Sequence, residues 1–218
     1  SYGEALAPET RQECRNAWGC ELVDMYSTQE IGYIALQCPQ TERYHVQSEA
    51  VYVEVLDNDG RQCAPGEVGR VVVSVLHNFA MPLLRYELGD FAEVGGQCPC
   101  GRGLPVLTRV LGRERNMLVL PDGTTTWPTF PAQSWAHIEA IRQLQLVQLS
   151  PDEIEARTVG PRALNEAEQA KFTSIIQDRF AHQFRVSFDY RQQIDRTMGG
   201  KFEDFVCLVE TRGGRTAD

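Results

Sequence analysis

Three short segments rich in β-branched residues constrain the fold more than any other feature of the chain. They are GYIALQC, AVYVEVLD and GRVVVSVL, and the sequence DNDG at residues 57–60 supplies a turn between the last two. Val and Ile favour strands because their branched side chains pack well on a pleated surface. The same composition continues through FAEV and PVLTRVLG. We therefore predict a β-rich region that runs from about residue 33 to Gly112.

A helix followed by a strand precedes this region. The segment PETRQECRNAWG at residues 8–19 is typical of a short helix, with Pro8 near its first turn and Gly19 just past its end. The next segment, ELVDMY, has the pattern of a strand. A helix that feeds a strand is half of an α/β unit, and such a half cannot bury both of its faces alone.

The second half of the chain predicts an α+β unit of about a hundred residues. Its best helix is NEAEQAKFTSIIQDRFAHQF, where Asn165 and Glu168 form a capping box and the apolar residues fall on one stripe. A second helix is predicted for PAQSWAHIEAIR and a hairpin around Asp122-Gly123. The predicted strands are LQLVQLS, EIEARTV, RVSFDY and FVCLVE. We place the boundary near GRERN, which gives domains 1–112 and 113–218.

Charge and composition exclude several classes of partner. The net charge of −9 argues against nucleic acid or an anionic membrane as the main partner, since both require basic patches. No apolar run approaches the ~18 residues of a membrane-spanning helix, and the segment SYGEALAPET does not resemble a signal peptide. The 42% hydrophobic content is enough for a core. We therefore expect a cytoplasmic protein with reduced thiols.

Four short motifs share an order along the chain. They are YSTQEIG (26–32), RYELGD (85–90), VLGRERNMLVL (110–120) and TMGGKFEDFV (197–206). In this order they resemble the latter half of the adenylate-forming ligases, with the nearest branch being the phenylacetate–CoA ligases and the capsule-biosynthesis adenylating proteins. The resemblance covers nearly the whole chain, and NFAMPLLRYELGD with CPCGR is its most specific part.

The resemblance implies a fold class of α/β and α+β. It is a partial adenylate-forming-enzyme fold, in which the end of the large N-terminal domain with a β-rich subdomain (1–112) precedes a small α+β C-terminal lid domain (113–218). The reaction joins a carboxylate to ATP and then transfers the acyl group to a thiol, often that of CoA. The implied cofactors are ATP/AMP, Mg²⁺ and CoA, and the implied substrate is a small carboxylic acid.

The resemblance also assigns roles to individual residues. It implies that Glu30 helps to hold Mg²⁺, that Tyr26 lies against adenine, and that Asp90 binds the ribose hydroxyls. A carboxylate can accept hydrogen bonds from two adjacent hydroxyls, so the residue type fits. Arg113 corresponds to an arginine near the ribose and phosphate. Lys201 corresponds to a lid lysine that reaches the reacting oxygens, where a positive charge stabilises the transition state.

Taken alone, each of these residues has an ordinary structural explanation. Glu30 is then a solvated acid and Tyr26 a core tyrosine at a strand end, since exposed acids are common. The Gly89-Asp90 pair is a turn. Lys201 is a surface lysine in a glycine-rich loop.

Two positions depart from the family pattern. Gln29 stands where relatives usually have Thr or Ser, although its amide can still donate a hydrogen bond to phosphate. Arg115 occupies the hinge position, which is often aspartate in relatives.

A phosphate-binding loop of the TSGTTG kind is absent from these residues. We therefore expect a C-terminal fragment, or a half-protein that needs a missing N-terminal half and is inactive alone, with an exposed face that favours a homo-oligomer.

The cysteines allow three interpretations. Cys98 and Cys100 lie one residue apart in QCPCGR, and Cys38 and His45 in CPQTERYH are the best candidates to complete a structural zinc site. The phenylacetate–CoA ligases have a similar Cys…His stretch followed by C-x-C. A proline-stiffened turn with reduced thiols is the second interpretation. A redox couple is the third, although it lacks the usual C-x-x-C at a helix start.

Two functions from different classes follow. The first is part of an ATP-dependent acid–thiol ligase, with CoA or another thiol as the acceptor. The second is a zinc-stabilised binding or scaffolding module that has lost catalysis. Gln29, Arg115 and the missing phosphate-binding loop favour this second function, whereas Asp90 and Lys201 oppose it.

Overall fold

The computed structural model describes residue 6, residues 8–195 and residues 202–209. Contacts between Cα atoms divide the chain into two compact units, Ser1–Glu114 and Arg115–Asp218. Each unit has a sheet and a hydrophobic core of its own. Lys201 lies outside the described residues.

The first unit contains one helix and a seven-stranded sheet. Helix α1 spans Pro8–Trp18, and the order of the strands across the sheet is β1-β2-β3-β7-β6-β5-β4, with every neighbouring pair antiparallel. The strands are β1 (Met25–Thr28), β2 (Gly32–Gln37), β3 (Tyr44–Val46), β4 (Val51–Leu56), β5 (Val68–Val75), β6 (Tyr86–Gly95) and β7 (Val106–Arg113). The β-rich region predicted from the Val-rich segments is therefore confirmed.

The start of the first unit differs from the predicted half of an α/β unit. Helix α1 ends before Gly19, as predicted, with φ of +63° at that glycine. Strand β1 begins only at Met25 and pairs antiparallel with β2 at the edge of the sheet. The connection between α1 and β1 is held by Arg11, which donates to the Leu22 carbonyl and, at 3.2 Å, to Oε1 of Gln37.

The second unit is an α+β arrangement, as predicted. Its four-stranded sheet has the order β12-β11-β10-β13, with β11 antiparallel to β10 and parallel pairs on both sides. A hairpin of two short strands precedes the sheet, at the predicted Asp122-Gly123 turn. The elements are β8 (Leu118–Val119), β9 (Thr125–Thr126), β10 (Gln143–Ser150), β11 (Glu153–Val159), α2 (Glu166–Phe180), β12 (Arg185–Arg191) and β13 (Phe205–Cys207).

Helix α2 provides the centre of the second core. Its buried residues are Phe172, Ile176 and Phe180, at the spacing of one helical stripe. The predicted capping box is confirmed, because Asn165 Oδ1 accepts from the Glu168 amide and the Glu168 carboxylate accepts from the Asn165 amide, both at 2.9 Å. Together these bonds satisfy two main-chain donors at the start of the helix.

The helix predicted for PAQSWAHIEAIR is wrong. The segment contains only a short 3-10 helix, Ala132–Ser134, followed by turns. Its buried residues are Ile138, Ala140 and Ile141, and Ala140 would lie on nearly the opposite side of an α-helix from Ile138. Tertiary packing of these three side chains therefore determines the local backbone. Among the helices of the described residues, none has the length and apolar character to cross a membrane.

Candidate functional site

Two of the predicted nucleotide-binding residues contact each other directly. Tyr26 lies in β1 and Asp90 lies in β6, and the Tyr26 hydroxyl donates a hydrogen bond of 2.8 Å to Asp90 Oδ2. Arg113, at the end of β7, is the cross-strand partner of Asp90, with Nε 3.8 Å from Asp90 Oδ1. The antiparallel pairing of β6 with β7 therefore places the acid beside the cation, and the hydrogen bond from β1 brings the phenol to the acid.

The electrostatics of this group follow from burial. The Tyr26 ring is buried, and this burial, followed by the charge of Asp90, raises the pKa of its hydroxyl far above the usual range. Tyr26 is therefore neutral at physiological pH and acts as the donor to Asp90. The Asp90 side chain is only 14% exposed, whereas the Arg113 side chain is 46% exposed. Asp90 lies within a strand, so the interpretation of Gly89-Asp90 as a simple turn does not hold.

Gln29 and Glu30 lie close to Tyr26 in sequence but in a different environment. Both side chains are exposed, on the turn that joins β1 to β2. The turn is closed by the Ile31 amide, which donates to Oγ1 of Thr28 at 3.3 Å. The exposed carboxylate of Glu30 is accessible to a hydrated cation, and Mg²⁺ favours such oxygen ligands.

The four predicted metal ligands form one cluster. One ligand atom each from Cys38, His45, Cys98 and Cys100 lies within 4.8 Å of all the others. The Sγ atoms of Cys98 and Cys38 are 3.9 Å apart, and Cys100 Sγ lies 3.3 Å from His45 Nε2. All seven cysteines of the chain are free thiols in the structure.

Sheet topology explains why these four residues meet. Cys38 follows β2, His45 is the central residue of β3, and the C-x-C pair lies in the loop between β6 and β7. Since β3 pairs with β2 on one side and with β7 on the other, the three segments converge at one end of the sheet. Residues 60 positions apart, such as Cys38 and Cys98, therefore become neighbours.

Hydrogen bonds around the cluster favour a thiolate. Burial raises the pKa of the Cys38 thiol, but bonds from the Gln40 amide, Thr41, His45 and Cys100 outweigh it and lower this pKa to about 5. The Gln40 amide donates to Cys38 Sγ at 3.4 Å. A thiolate is the form in which cysteine binds a metal ion.

The residues present fit a tetrahedral zinc ion. Two sulfurs bound to zinc at ~2.3 Å and at tetrahedral angles are about 3.8 Å apart, close to the distance between Cys38 and Cys98. Three sulfurs and one nitrogen match the Cys₃His type of closed structural site. Nδ1 of His45 is buried and has no hydrogen-bond partner among the described residues.

Sequence reasoning missed a buried acid next to Tyr26. Asp24 is buried and accepts a hydrogen bond of 2.6 Å from the Tyr44 hydroxyl at Oδ2, while its amide donates to Gln37 Oε1 at 2.9 Å. Its Oδ1 is buried without a partner among the described residues. The available signal was an acid within the apolar strand pattern ELVDMY. Buried acids are rare unless they are paired.

Comparison with solved structures identifies the fold. The structure matches 2-hydroxyisobutyryl-CoA ligase in the postadenylation state with R3-HIB-AMP, at a TM-score of 0.66 and 21% identity over 92% of this chain and 45% of that chain. It also matches the o-succinylbenzoate CoA synthetase of Bacillus subtilis in complex with its acyl-adenylate intermediate, at a TM-score of 0.64 and 15% identity over 93% of this chain and 44% of that chain. The fold is that of the adenylate-forming CoA ligases. The predicted fold class is therefore confirmed.

Comparison of sequences agrees with this fold. The phenylacetate-coenzyme A ligase of Thermus thermophilus is 31% identical over 124 residues, which are 55% of this chain and 28% of that protein. Residues 121–207 match the family model of the CapK C-terminal domain. The predicted resemblance to adenylate-forming ligases of this branch is thus confirmed. The chain spans less than half the length of the ligases that it matches.

Proposed function

We propose that this chain is the C-terminal portion of an ATP-dependent ligase that activates a carboxylic acid as its adenylate and transfers the acyl group to CoA. The contact between Tyr26 and Asp90 is the observation that carries the proposal, because it joins two motifs that the resemblance assigns to one nucleotide. The fold supports it, since structures with that fold were solved with acyl adenylates and with CoA. The phenylacetate type is the branch that the sequence favours.

In this proposal each residue has a separate task. Asp90 accepts hydrogen bonds from the ribose hydroxyls, Tyr26 orients Asp90 and packs against adenine, and Arg113 faces the ribose and phosphate. Gln29 donates to phosphate and Glu30 contributes to Mg²⁺ binding, since carboxylates are hard oxygen ligands. Bound Mg²⁺ would neutralise phosphate charge.

Lys201 is the proposed catalytic residue, placed on the lid domain 113–218. A cation that meets the reacting carboxylate and the α-phosphate stabilises developing charge more than the ground state. Because the chain spans only part of its relatives, we propose that it contributes part of the site and that an N-terminal portion supplies the phosphate-binding loop.

Acid-dependent exchange of pyrophosphate into ATP tests this function in the complete ligase polypeptide that contains these residues. Lys201→Ala should lower the rate by about a hundredfold or more, whereas Lys171→Ala, on the exposed side of α2, should leave it unchanged. Equal rates for wild type and Lys201→Ala would contradict the proposal. Substantial exchange by the 218-residue chain alone would contradict the need for a second portion.

We also propose that Cys38, His45, Cys98 and Cys100 bind a structural zinc ion. A site with four protein ligands leaves no open position for a substrate, so its contribution is to stability. It would join the β2–β3 turn to the β6–β7 loop at the end of the sheet.

The zinc-stabilised scaffolding module remains the second candidate function. It is favoured by the completeness of the four-ligand cluster, which needs no nucleotide to contribute to stability. Zinc binding together with no acid-dependent exchange in the complete polypeptide would favour this candidate over the ligase.

A further inference from the structure

Asp24 immediately precedes β1 and is bonded to two other strands of the first unit. Its carboxylate accepts a hydrogen bond of 2.6 Å from the hydroxyl of Tyr44, which belongs to β3 in the interior of the sheet. Its amide donates to Oε1 of Gln37, the last residue of β2, at 2.9 Å, and its carbonyl accepts from the Gln37 amide at 3.1 Å. We call these three hydrogen bonds the Asp24 clamp.

The Asp24 clamp is shielded from water. Asp24 is 7% exposed, and Tyr44 and Gln37 are each 9% exposed. Arg11 of α1 adds to the clamp, because its Nη1 donates to the same Oε1 of Gln37 at 3.2 Å. Hydrogen bonds in surroundings of low polarity are strong, and a polar group that loses its partner there is costly. The clamp therefore holds Asp24 in one position.

Strand β1 depends on the clamp because its own pairing is limited. It has four residues, lies at the edge of the sheet and pairs with β2 alone among the described strands. The pairing is also interrupted by a register shift between Tyr26 and Ser27. An edge strand has an unpaired row of main-chain groups on one side. The clamp at the start of β1 therefore contributes a large share of what holds this strand in place.

The position of β1 determines where the Tyr26 ring lies. Tyr26 comes two residues after Asp24, and its hydroxyl reaches Asp90 on β6. Three strands, β2, β3 and β7, lie between β1 and β6 in the sheet, so strand pairing does not set the distance between Tyr26 and Asp90 directly. Two residues of chain span at most about 7 Å, so a displacement of Asp24 is passed on to Tyr26.

We infer that Asp24 is a positioning residue for the Tyr26 ring and thereby for the adenine of the nucleotide, an inference that rests on the proposed function. Asp24 is buried and acts through Tyr26 rather than by contact with the nucleotide. Its Oδ1 has no hydrogen-bond partner among the described residues, and burial of such a group is costly. Stability alone does not explain an acid at this position, whereas the placement of Tyr26 does.

Amide hydrogen exchange of the 218-residue chain tests the clamp directly. In Asp24→Ala, exchange at residues 25–28 should be about fivefold to tenfold faster than in wild type, the effect of one lost hydrogen bond on local opening. Tyr44→Phe removes the same bond from the other side and should have the same effect. The matched control is Asp59→Ala, at an exposed acid in a turn of the same unit. Unchanged exchange at residues 25–28 in both clamp variants would overturn the inference.

Pyrophosphate exchange in the complete polypeptide that contains these residues tests the functional part. Asp24→Ala should raise KM for ATP about threefold to tenfold with kcat unchanged, because adenine lies away from the reacting phosphate and its contacts are equal in the ground and transition states. Asp24→Asn should keep the wild-type KM, since its side-chain oxygen can accept from Tyr44. A lower kcat at unchanged KM in Asp24→Ala would indicate loss of folded enzyme only and would contradict the positioning role.

The Tyr26→Ala variant separates this inference from the proposed function. It should raise KM for ATP, and the addition of Asp24→Ala should raise it no further, because the two residues act through one contact. A wild-type KM in Asp24→Ala, together with a raised KM in Tyr26→Ala, would overturn this inference and leave the proposed function standing. Absence of exchange in the wild-type polypeptide would overturn both.

Discussion

The Tyr26 hydroxyl donates a hydrogen bond of 2.8 Å to Oδ2 of Asp90, across 64 positions of the sequence. Each residue belongs to a different short motif, and neither motif is specific by itself. The bond fixes one carboxylate oxygen, and Arg113 lies 3.8 Å from the other. The carboxylate is thus held in one orientation, and in the proposed nucleotide site this would reduce the entropy that a ligand must remove on binding.

Removal of the Tyr26 hydroxyl should destabilise the first unit. Tyr26→Phe removes the hydrogen bond from the Tyr26 hydroxyl to the largely buried Asp90 carboxylate. The expected loss is about 1.5–3 kcal/mol in the free energy of unfolding, the range for a hydrogen bond to a charged group. Urea unfolding measures it. Tyr52→Phe is the control, since the Tyr52 side chain is exposed on β4. If the stability lost in the double variant Tyr26→Phe/Asp90→Asn equals the sum of the losses in the two single variants, the two residues do not interact.

Zinc should bind with a stoichiometry of one per chain and should stabilise the first unit. With free zinc at a hundred times Kd, the expected gain is about 2.7 kcal/mol. Elemental analysis of the purified chain and urea unfolding with and without chelator test this. Cys98→Ser should abolish the gain and Cys20→Ser, at an exposed cysteine, should retain it. A chain without zinc, with equal stability in chelator, would contradict the site.

The stability of the second unit should depend on pH through Glu168. The hydrogen bond and ion pair with Arg162, followed by the Asn165 amide, lower the pKa of the Glu168 carboxyl from 4.5 to about 2. The folded state therefore binds fewer protons than the unfolded state between these values, so this stabilisation is complete above about pH 4.5 and disappears as the pH falls through 2.

A comparison of Glu168→Gln with wild type isolates this contribution. The difference between their free energies of unfolding should be constant from pH 7 to about 5 and should shrink between pH 4.5 and 2. Glutamine can keep the capping hydrogen bond, so the ion pair is what the variant removes. A difference that stays constant down to pH 2.5 would contradict the interpretation.

Gly69 should not tolerate a side chain. A Cβ atom at this position of β5 would lie 2.4 Å from the Leu56 carbonyl oxygen and 2.7 Å from Cys63 Sγ. Gly69→Ala should therefore cost about 1–3 kcal/mol of unfolding free energy, as overpacked core sites do. Gly103→Ala is the matched control in the same unit, because its Cβ would meet open space. Equal stability of the two variants would disprove this packing argument.

Local sequence patterns predicted the helices and strands of this chain well, but they did not predict the contacts between residues that are distant in the sequence. Asn165 and Glu168 form a capping box within four consecutive residues, so the sequence alone was sufficient to predict where α2 begins. The segment at residues 131–142 has an apolar content that suits a helix, but Ile138 and Ala140 are both buried, and these two would lie on nearly opposite sides of a helix. Tertiary packing overrode the local preference there.

The candidate sites show the same division between local and long-range information. The sequence predicted which four residues could bind zinc, because the ligand types are few. It did not predict the Tyr26–Asp90 hydrogen bond, which joins two strands that are not neighbours in the sheet. Pairing between distant strands leaves no local periodicity in a sequence.

The most direct test of the proposed nucleotide site is the effect of Asp90→Asn on acid-dependent pyrophosphate exchange in the complete polypeptide that contains these residues. If Asp90 binds the ribose, kcat/KM for ATP should fall by about tenfold to a hundredfold, the cost of hydrogen bonds to a charged group. Glu87→Gln, an exposed ion-paired acid on the same strand, is the control and should behave as wild type. An unchanged kcat/KM for ATP in Asp90→Asn would contradict the nucleotide site at the centre of the account.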